Sequence, residues 1–387
     1  MKVCVTFHND IFTPWPATSI IHPVEVLLEA GHEVVVISWD KGRGEKLNEA
    51  TLPVRRVRVE LPVRNLLSLR EFSRRLSSAI VEERPGLVLA FDLEVLSGSE
   101  MGANALGVPL LFFAREDWPS MVRGSGGLSS LLRSMAFSRM ERRICKRSVA
   151  HAYSVNDERG AKYRGWSVPY TTIYTTRGLA ELPAPGKKHS RFTVCIAGSM
   201  LEMQALPTVL DAMKEGDWDL RLVGGDEKNL PAIREMVESS GPEGRVSVTG
   251  RLPSAAEYYG EISRCHLGLT LPLNTDRNKY LGISVKMWDY MSMGLPQVVS
   301  NLPAMVSVMK GASNGPVGLA SDPLSSSELA ECINYYRQNP AEAQRAGTEA
   351  RRLFEERYCW ERQKEALKAS HPVFSGAPEP DRTPSGP

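Results

Sequence analysis

The chain has 387 residues, of which 42% are hydrophobic and 24% charged, and these ordinary values exclude a disordered or fibrous protein. This length exceeds what one hydrophobic core usually supports, so two domains are expected. A net charge of +2 does not indicate nucleic-acid binding. Six cysteines without a CxxC pair indicate neither a zinc cluster nor a disulfide framework, and no apolar run reaches the roughly 20 residues that span a bilayer. We therefore expect a cytoplasmic protein with reduced cysteines.

The first half alternates strand and helix patterns. Residues 3–7 read as a strand, a helix should reach residue 30, and the β-branched run GHEVVVIS follows. Short apolar strands return at residues 85–91 and 107–113. Continuous apolar strands alternating with helices predict a parallel sheet covered on both faces.

A second series of strands begins near residue 191. Its members are FTVCIAG, DLRLVGG, RVSVTG, HLGLTL and PQVVSN, with helical segments between most of them. We predict two Rossmann-like parallel-sheet domains, at residues 1–180 and 191–350, facing each other across a cleft. Residues 181–190 are predicted to link them, residues 351–370 to form a helix returning to the first domain, and residues 371–387 to be a disordered tail.

The segment SVKMWDYMSMGLPQVVSN at residues 284–301 carries the most chemical information. A helix should begin near Ser284 and end at Gly294, with Met287 and Met291, four residues apart, facing the core. Lys286 and Asp289 are three residues apart and share a helix face, which places a cation suited to phosphate beside a carboxylate suited to vicinal hydroxyls. Ligands collect at the carboxyl ends of parallel strands, near helix N-termini. The alternative is a surface ion pair on a packed helix.

This segment resembles the pattern P-x-K-x-x-E-Y-M-x-x-G-L-P-V-V of the GT-B superfamily, specifically the retaining glycosyltransferase family 4 (group 1). The matching positions are Lys286, Asp289, Tyr290, Met291, Gly294, Leu295, Pro296, Val298 and Val299. The resemblance implies metal-independent transfer, with retention, of a sugar from a nucleoside-diphosphate sugar. The acceptor would be a glycan, a lipid-linked molecule or a small molecule, and no further cofactor is implied.

The resemblance also implies roles for individual residues. Lys286 would stabilise charge on the leaving diphosphate, and Asp289 would hold the donor ribose. Other donor-binding candidates are Gly198, Ser199, Gly224, Arg251, Leu252, Ser284 and Val285. Asp92, Arg115 and Glu116 are catalytic candidates; the alternatives are a helix N-cap for Asp92 and an ion pair outside the site for the other two. His8, Asn9 and Asp10 are acceptor-binding candidates or a plain turn.

The sequence departs from the family pattern in several places. Arg115 stands where the family has a histidine, and Leu281 stands where many members carry a glutamate. No glycine follows the first strand, and the loop after Gly198 lacks the usual arginine and lysine, so Lys286, Arg251 and Lys279 would have to compensate. These departures keep two alternatives open: a non-catalytic GT-B protein that binds a sugar nucleotide or a partner, and a GT-B sugar-nucleotide epimerase.

A basic stretch at residues 128–147 is predicted to be a helix. Its apolar residues are Leu128, Leu131, Leu132, Met135, Met140 and Ile144. We expect them to place one face of the helix in the core. The alternative is peripheral docking on an anionic membrane.

Overall fold

A computed structural model describes all residues except 10, 12–17, 41–50, 62–65, 125, 199–203, 275–279, 312 and 377–387. The chain divides into two compact units. The first contains Met1–Thr175 together with the chain from Gln363 onward, and the second contains Thr176–Arg362. None of the described helices is both long enough and apolar enough to cross a membrane.

The described part of the first unit contains a seven-stranded parallel sheet in the order β3-β2-β1-β4-β5-β6-β7. Its strands are β1 Lys2–Phe7, β2 Glu33–Asp40, β3 Arg55–Glu60, β4 Leu87–Phe91, β5 Leu110–Ala114, β6 Val149–Ser154 and β7 Tyr170–Thr172. Its helices are α1 Thr18–Glu29, α2 Leu66–Glu83, α3 Leu93–Leu106, α4 Trp118–Gly124, α5 Gly127–Ser148 and α6 Asp157–Gly165. Every residue of β4 and β5 is buried, as expected for central strands covered on both faces.

The described part of the second unit contains a six-stranded parallel sheet in the order β10-β9-β8-β11-β12-β13. Its strands are β8 Thr193–Ala197, β9 Asp219–Val223, β10 Val246–Val248, β11 Leu267–Thr270, β12 Gln297–Ser300 and β13 Gly318–Ser321. Its helices are α7 Leu206–Ala212, α8 Leu230–Ser240, α9 Ala255–Ser263, α10 Val285–Ser292, α11 Pro303–Lys310, α12 Ser326–Gln338 and α13 Pro340–Leu353. Both sheets are Rossmann-like, which confirms the predicted fold class.

In each sheet the strand order reverses beside the first strand of the unit. β1 lies between β2 and β4, and β8 lies between β9 and β11. The crevice outside the carboxyl ends of such strands is where open α/β sheets bind ligands. Residues that follow β1, β4 and β5 in the first unit, and β8, β9 and β10 in the second, are therefore placed to form sites.

The described chain from Gln363 onward belongs to the first unit. Helix α14, Trp360–Ser370, places Ser370 Oγ 3.0 Å from Tyr153 Oη, and Lys364 Nζ lies 2.6 Å from a carboxylate oxygen of Glu29. Residues 371–376 are ordered, which corrects that part of the predicted disordered tail; residues 377–387 lie outside the described residues. Val373 and Phe374 are buried, and the Phe374 ring packs edge-on against Tyr153, so this apolar pair fills part of the core.

Helix α5 forms as predicted, but its first half does not place the predicted apolar face in the core. Ile144 is buried, whereas Leu128, Leu131, Leu132 and Met135 are exposed. The buried positions of this half are Ser130 and Ser134. The periodic pattern was interpreted correctly as a helix, but the prediction that these four side chains pack inside is wrong.

Candidate active site

Three neighbouring strands of the second unit end in glycine. Gly198 follows β8, Gly224 follows β9, and Gly250 follows β10 by two residues; Gly224 and Gly250 also pair through an isolated bridge. Gly198 and Gly224 adopt φ values of 119° and 97°, which L side chains rarely adopt. A Cβ on Gly224 would lie 2.8 Å from the carbonyl oxygen of Gly198. At the ends of these strands the backbone therefore lacks side chains. We call the surface formed by Gly198, Gly224 and Gly250 the glycine floor.

Lys286 lies against this floor. A Cβ on Gly198 would be 2.5 Å from Lys286 Cε and 3.1 Å from its Nζ, so the lysine can approach only because position 198 lacks a side chain. Lys286 is the second residue of helix α10, and Ser284, the N-cap, makes no side-chain capping bond. The lysine charge and the first-turn N–H groups of α10 therefore occupy the same end of the helix.

Helix α10 confirms the prediction made from its sequence. It spans Val285–Ser292, and Gly294 follows with φ 67°, the left-handed conformation expected beyond a helix end. Met287 and Met291 are buried as predicted. Val285 is 45% exposed at the helix start, so the N-terminal turn is open to solvent or ligand.

Asp289 lies on the same helix and is only 7% exposed. Its two carboxylate oxygens accept hydrogen bonds from the Tyr258 hydroxyl at 3.0 Å and the Tyr259 hydroxyl at 2.7 Å. Burial raises the pKa of Asp289, while the Tyr259 hydrogen bond and the nearby charges of Arg177 and Lys286 oppose that rise. A surface ion pair, the alternative drawn from sequence, is therefore wrong for Asp289. A carboxylate offers about four lone-pair positions, and the tyrosines use two.

Sequence reasoning missed the three residues that surround Asp289. Tyr258 and Tyr259 are adjacent on α9, and Arg177 comes from the first segment of the second unit. Burial and the charge of Asp289 raise the pKa of both tyrosines, so their hydroxyls stay protonated donors. Nothing in the local pattern of α9 indicates a carboxylate partner. The contact arises only when α9 packs beside α10.

The remaining donor-binding candidates lie in different surroundings. Arg251 is exposed in the loop after β10, and Leu252 packs in the apolar cluster that contains Tyr259 and Tyr290. Leu281, which stands at the family's glutamate position, is partly buried. Ser199 and Lys279 lie outside the described residues.

A second polar cluster lies in the first unit, at the carboxyl ends of β1, β4 and β5. His8 Nδ1 is 3.1 Å from Glu94 Oε2 and 3.8 Å from Asp92 Oδ2. Asp92 is 1% exposed, and its carboxylate accepts from the Arg115 backbone N–H at 3.2 Å and from Arg115 Nε at 3.0 Å. The structure thus brings three predicted residues, His8, Asp92 and Arg115, together with Glu94.

Asp92 occupies the N-cap position of α3, as the alternative predicted, but its side chain makes no capping bond. Its backbone has φ 71°, an uncommon conformation for a residue other than glycine. The Arg115 guanidinium also lies 4.6 Å from the centre of the Phe7 ring. Arg115 is therefore held in a partly buried ion pair with Asp92 at the end of the sheet.

The other candidates of the first unit lie toward the surface. Glu116 is about two-fifths exposed and forms an ion pair of 3.4 Å with Arg159, whose Nη1 also donates to the Arg115 carbonyl at 2.6 Å. Asn9 is exposed, and Asp10 lies outside the described residues.

His8, Asp92 and Glu94 could each offer one ligand atom to a metal, since these atoms lie within 4.8 Å of one another. Arg115 already places its positive charge against Asp92. A second cation at this carboxylate would have to overcome that repulsion, so the donor set fits a metal poorly.

Comparisons with known proteins agree with this architecture. The family model described as "Glycosyl transferases group 1" matches residues 190–339, and the one described as "Glycosyl transferase 4-like domain" matches residues 17–177. No curated protein matches the sequence.

Several solved structures share the fold. Sucrose-phosphate synthase from Thermosynechococcus elongatus is 15% identical with a TM-score of 0.72, covering 95% of this chain and 97% of its own. Anabaena HepE in complex with UDP-glucose is 12% identical with a TM-score of 0.67, and the match covers 95% of this chain and 98% of HepE. WaaG, a glycosyltransferase of lipopolysaccharide biosynthesis, is 14% identical with a TM-score of 0.66, and the match covers 95% of this chain and 99% of WaaG. Because glycosyltransferase domain models match residues 17–177 and 190–339, which together are most of the chain, the chain belongs to the group 1 glycosyltransferases of the GT-B fold, family 4 type.

Proposed function

We propose that this protein transfers a glycosyl group from a nucleoside-diphosphate sugar to an acceptor hydroxyl, with retention and without a metal ion. The observation that carries the proposal is Lys286 lying over the bare backbone of Gly198, at the N-terminus of α10 and on the helix that carries Asp289. The similar HepE structures contain UDP, or UDP-glucose, which supports a sugar-nucleotide donor.

Lys286 would stabilise the leaving diphosphate. As the bond between the sugar and the diphosphate breaks, negative charge accumulates on the phosphate oxygens, and a fixed cation stabilises that charge. The uncapped first-turn N–H groups of α10 would add hydrogen-bond donors at the same place. This arrangement supplies the positive charge from the protein itself, which supports metal independence.

Asp289 would hold the ribose hydroxyls of the donor through its remaining lone pairs. The hydroxyls of Tyr258 and Tyr259 would keep the carboxylate in one orientation, because each oxygen already accepts one bond. Gly198, Ser199, Gly224, Arg251, Leu252, Ser284 and Val285 remain our donor-site candidates around it.

The acceptor would bind at the cluster in the first unit, where His8, Asn9 and Asp10 are our candidates. Glu94 Oε2 lies 3.1 Å from His8 Nδ1 there. The acceptor oxygen forms its bond to the anomeric carbon as the bond to the diphosphate breaks, and the acceptor proton passes to the departing diphosphate. Arg115, Asp92 and Glu116 would shape this site, and the first two would do so as a fixed ion pair. A glycan, a lipid-linked molecule or a small molecule would each be able to supply the acceptor hydroxyl.

Donor binding is the first step to test. The full chain is incubated with UDP-, GDP- and ADP-sugars, and the thermal shift and nucleotide release are measured. We expect one nucleotide series to stabilise the protein and Asp289→Asn to abolish the shift. If no nucleotide binds, or if Asp289→Asn binds as well as wild type, the proposed donor site is wrong.

Turnover and stereochemistry form the second test. Nuclear magnetic resonance of the anomeric proton in the product would report retention, and inversion would refute that part of the proposal. Binding without transfer to any of a broad acceptor panel would favour a non-catalytic protein. The ion pair with Asp92 supports that alternative, because it holds the side chain of Arg115, which stands at the family's histidine position. Conversion of the donor to its epimer without an acceptor would favour an epimerase.

A further inference from the structure

The first two turns of helix α5 bury polar side chains and expose apolar ones. The buried side chains are serines, Ser130 at 2% exposure and Ser134 at 8%. The exposed side chains are large and apolar: Leu128 at 72%, Leu131 at 37%, Leu132 at 58% and Met135 at 41%. We call these four residues the apolar stripe. Their spacing of three, four and seven residues puts them on one face of the helix, and that face points away from the core.

The exposed charges of helix α5 are all positive. The basic residues of α5 are all exposed: Arg133, Arg139, Arg142, Arg143, Lys146 and Arg147. The one acidic residue of α5, Glu141, is buried and bonded to Lys162 at 2.6 Å and to the Tyr163 hydroxyl at 2.8 Å. The outer surface of this helix therefore has exposed cations and apolar side chains but no exposed carboxylate.

The positive surface continues into a groove of about 540 Å³ between α2, α3 and α5. Arg70, Arg139 and Arg143 line it beside Leu69 and Met140. Glu94, the residue that contacts His8, also lines it. The basic surface thus reaches the cluster at the carboxyl ends of the first sheet.

We propose that the apolar stripe and the arginines of α5 dock this protein on an anionic phospholipid bilayer. The leucine and methionine side chains enter the boundary between headgroups and acyl chains, and the arginines contact lipid phosphates. The preceding helix α4 adds one more apolar and one more basic side chain to this surface composition, Met121 at 41% exposure and the exposed Arg123.

Charge complementarity favours an anionic bilayer over a second copy of the chain as the partner of this surface. An anionic leaflet offers phosphates to every arginine at once and an apolar phase to the stripe. A second copy of the chain in a two-fold dimer would place the same cationic surface against itself, which is repulsive. Because a short apolar insertion alone binds membranes weakly, the stripe and the basic residues act together as two signals.

Vesicle sedimentation with the full chain tests the docking surface. Vesicles contain either phosphatidylcholine alone or equal parts of phosphatidylcholine and phosphatidylglycerol. We expect binding to the anionic vesicles only, with a loss of about fivefold for each arginine replaced in Arg139→Gln/Arg143→Gln, and weaker binding at high salt. Leu128→Ser/Leu132→Ser should lose at least about tenfold.

Matched controls use exposed residues of the second unit. Leu324 is 74% exposed, so Leu324→Ser removes an equally exposed leucine outside the stripe, and Lys214→Gln removes a surface cation. Neither control should change vesicle binding, and circular dichroism checks that every variant folds. The nucleotide-induced thermal shift should persist in all of them, so failure of docking is distinguishable from failure of the donor site.

Two outcomes would overturn the proposal. One is folded wild-type protein that ignores anionic vesicles. The other is a concentration-dependent dimer, without vesicle binding, that Leu128→Ser/Leu132→Ser dissociates, because the stripe would then be covered by a second copy.

Discussion

Replacing Lys286 by methionine should weaken nucleotide-diphosphate binding while leaving the fold intact. Methionine keeps most of the side chain's length and apolar packing but removes the charge that lies over Gly198. A hydrogen bond to a charged group contributes about 1.5–3 kcal/mol. The expected rise in Kd is therefore about 10- to 150-fold.

The same substitution should have a second effect that a purely structural role would not produce. Burial raises the pKa of Asp289, and the positive charge of Lys286 partly opposes this rise. Lys286→Met removes that opposition, so the pKa of Asp289 should rise further. If the ionised carboxylate holds the ribose, the pH below which nucleotide binding is lost should move upward in the variant.

Isothermal titration calorimetry across a pH series measures both effects. Lys214→Met, which removes an exposed lysine of the same unit, is the matched control and should bind nucleotide as wild type does. An unchanged Kd in Lys286→Met would refute the assigned phosphate role. A weakened Kd with an unmoved pH profile would refute the coupling to Asp289.

Further predictions concern the glycine floor, the buried carboxylate, metal removal and stability. Gly198→Ala should weaken nucleotide binding at least about tenfold in calorimetry, because φ 119° strains alanine and its Cβ would displace Lys286; wild-type affinity would contradict the close approach. In wild type, nucleotide binding should fall on acidification at a pH above 3.8, the ordinary pKa of this carboxyl, because burial raises the pKa of Asp289; a midpoint at or below 3.8 would exclude it as the titrating group. Excess EDTA should leave the transfer rate unchanged, and a loss restored by Mg²⁺ or Mn²⁺ would refute metal independence. The hydrogen bond from Arg352 lowers the pKa of Glu349 from its ordinary 4.5 to about 2, although burial opposes this shift, so its stabilisation is present above pH 4.5 and is lost as pH falls toward 2. Glu349→Gln should lower the free energy of unfolding by at most about 3 kcal/mol at pH 7 in urea titrations, and should have no effect near pH 2.

Local sequence was sufficient to predict α10. Its start after Ser284, its end before Gly294 and its buried face at Met287 and Met291 depend on capping preferences and a period of 3.6 residues. The apolar central strands were predictable from their composition, since a short apolar run such as LLFFA is typical of a strand covered on both faces. Edge strand β3 was not predicted, because Arg55, Arg56 and Arg58 suit an exposed sheet edge and interrupt the apolar pattern by which the other strands were predicted.

Polar partners that are distant in sequence were not predictable. The hydroxyls of Tyr258 and Tyr259 reach Asp289 because α9 packs beside α10, and Arg115 reaches Asp92 because β4 and β5 are neighbours. A residue pattern reports what a side chain can bond to. It does not report which side chain the fold places there.

The sequence by itself determined the two parallel sheets, the helix that carries Lys286 and Asp289, and the presence of an amphipathic basic helix at α5. Tertiary structure alone decided that Gly198 lies under Lys286, that Asp289 is buried by tyrosines, and that α5 buries serines while its leucines face outward. The physical reason is that periodicity follows from backbone geometry within one element, whereas burial depends on which neighbouring elements cover each face.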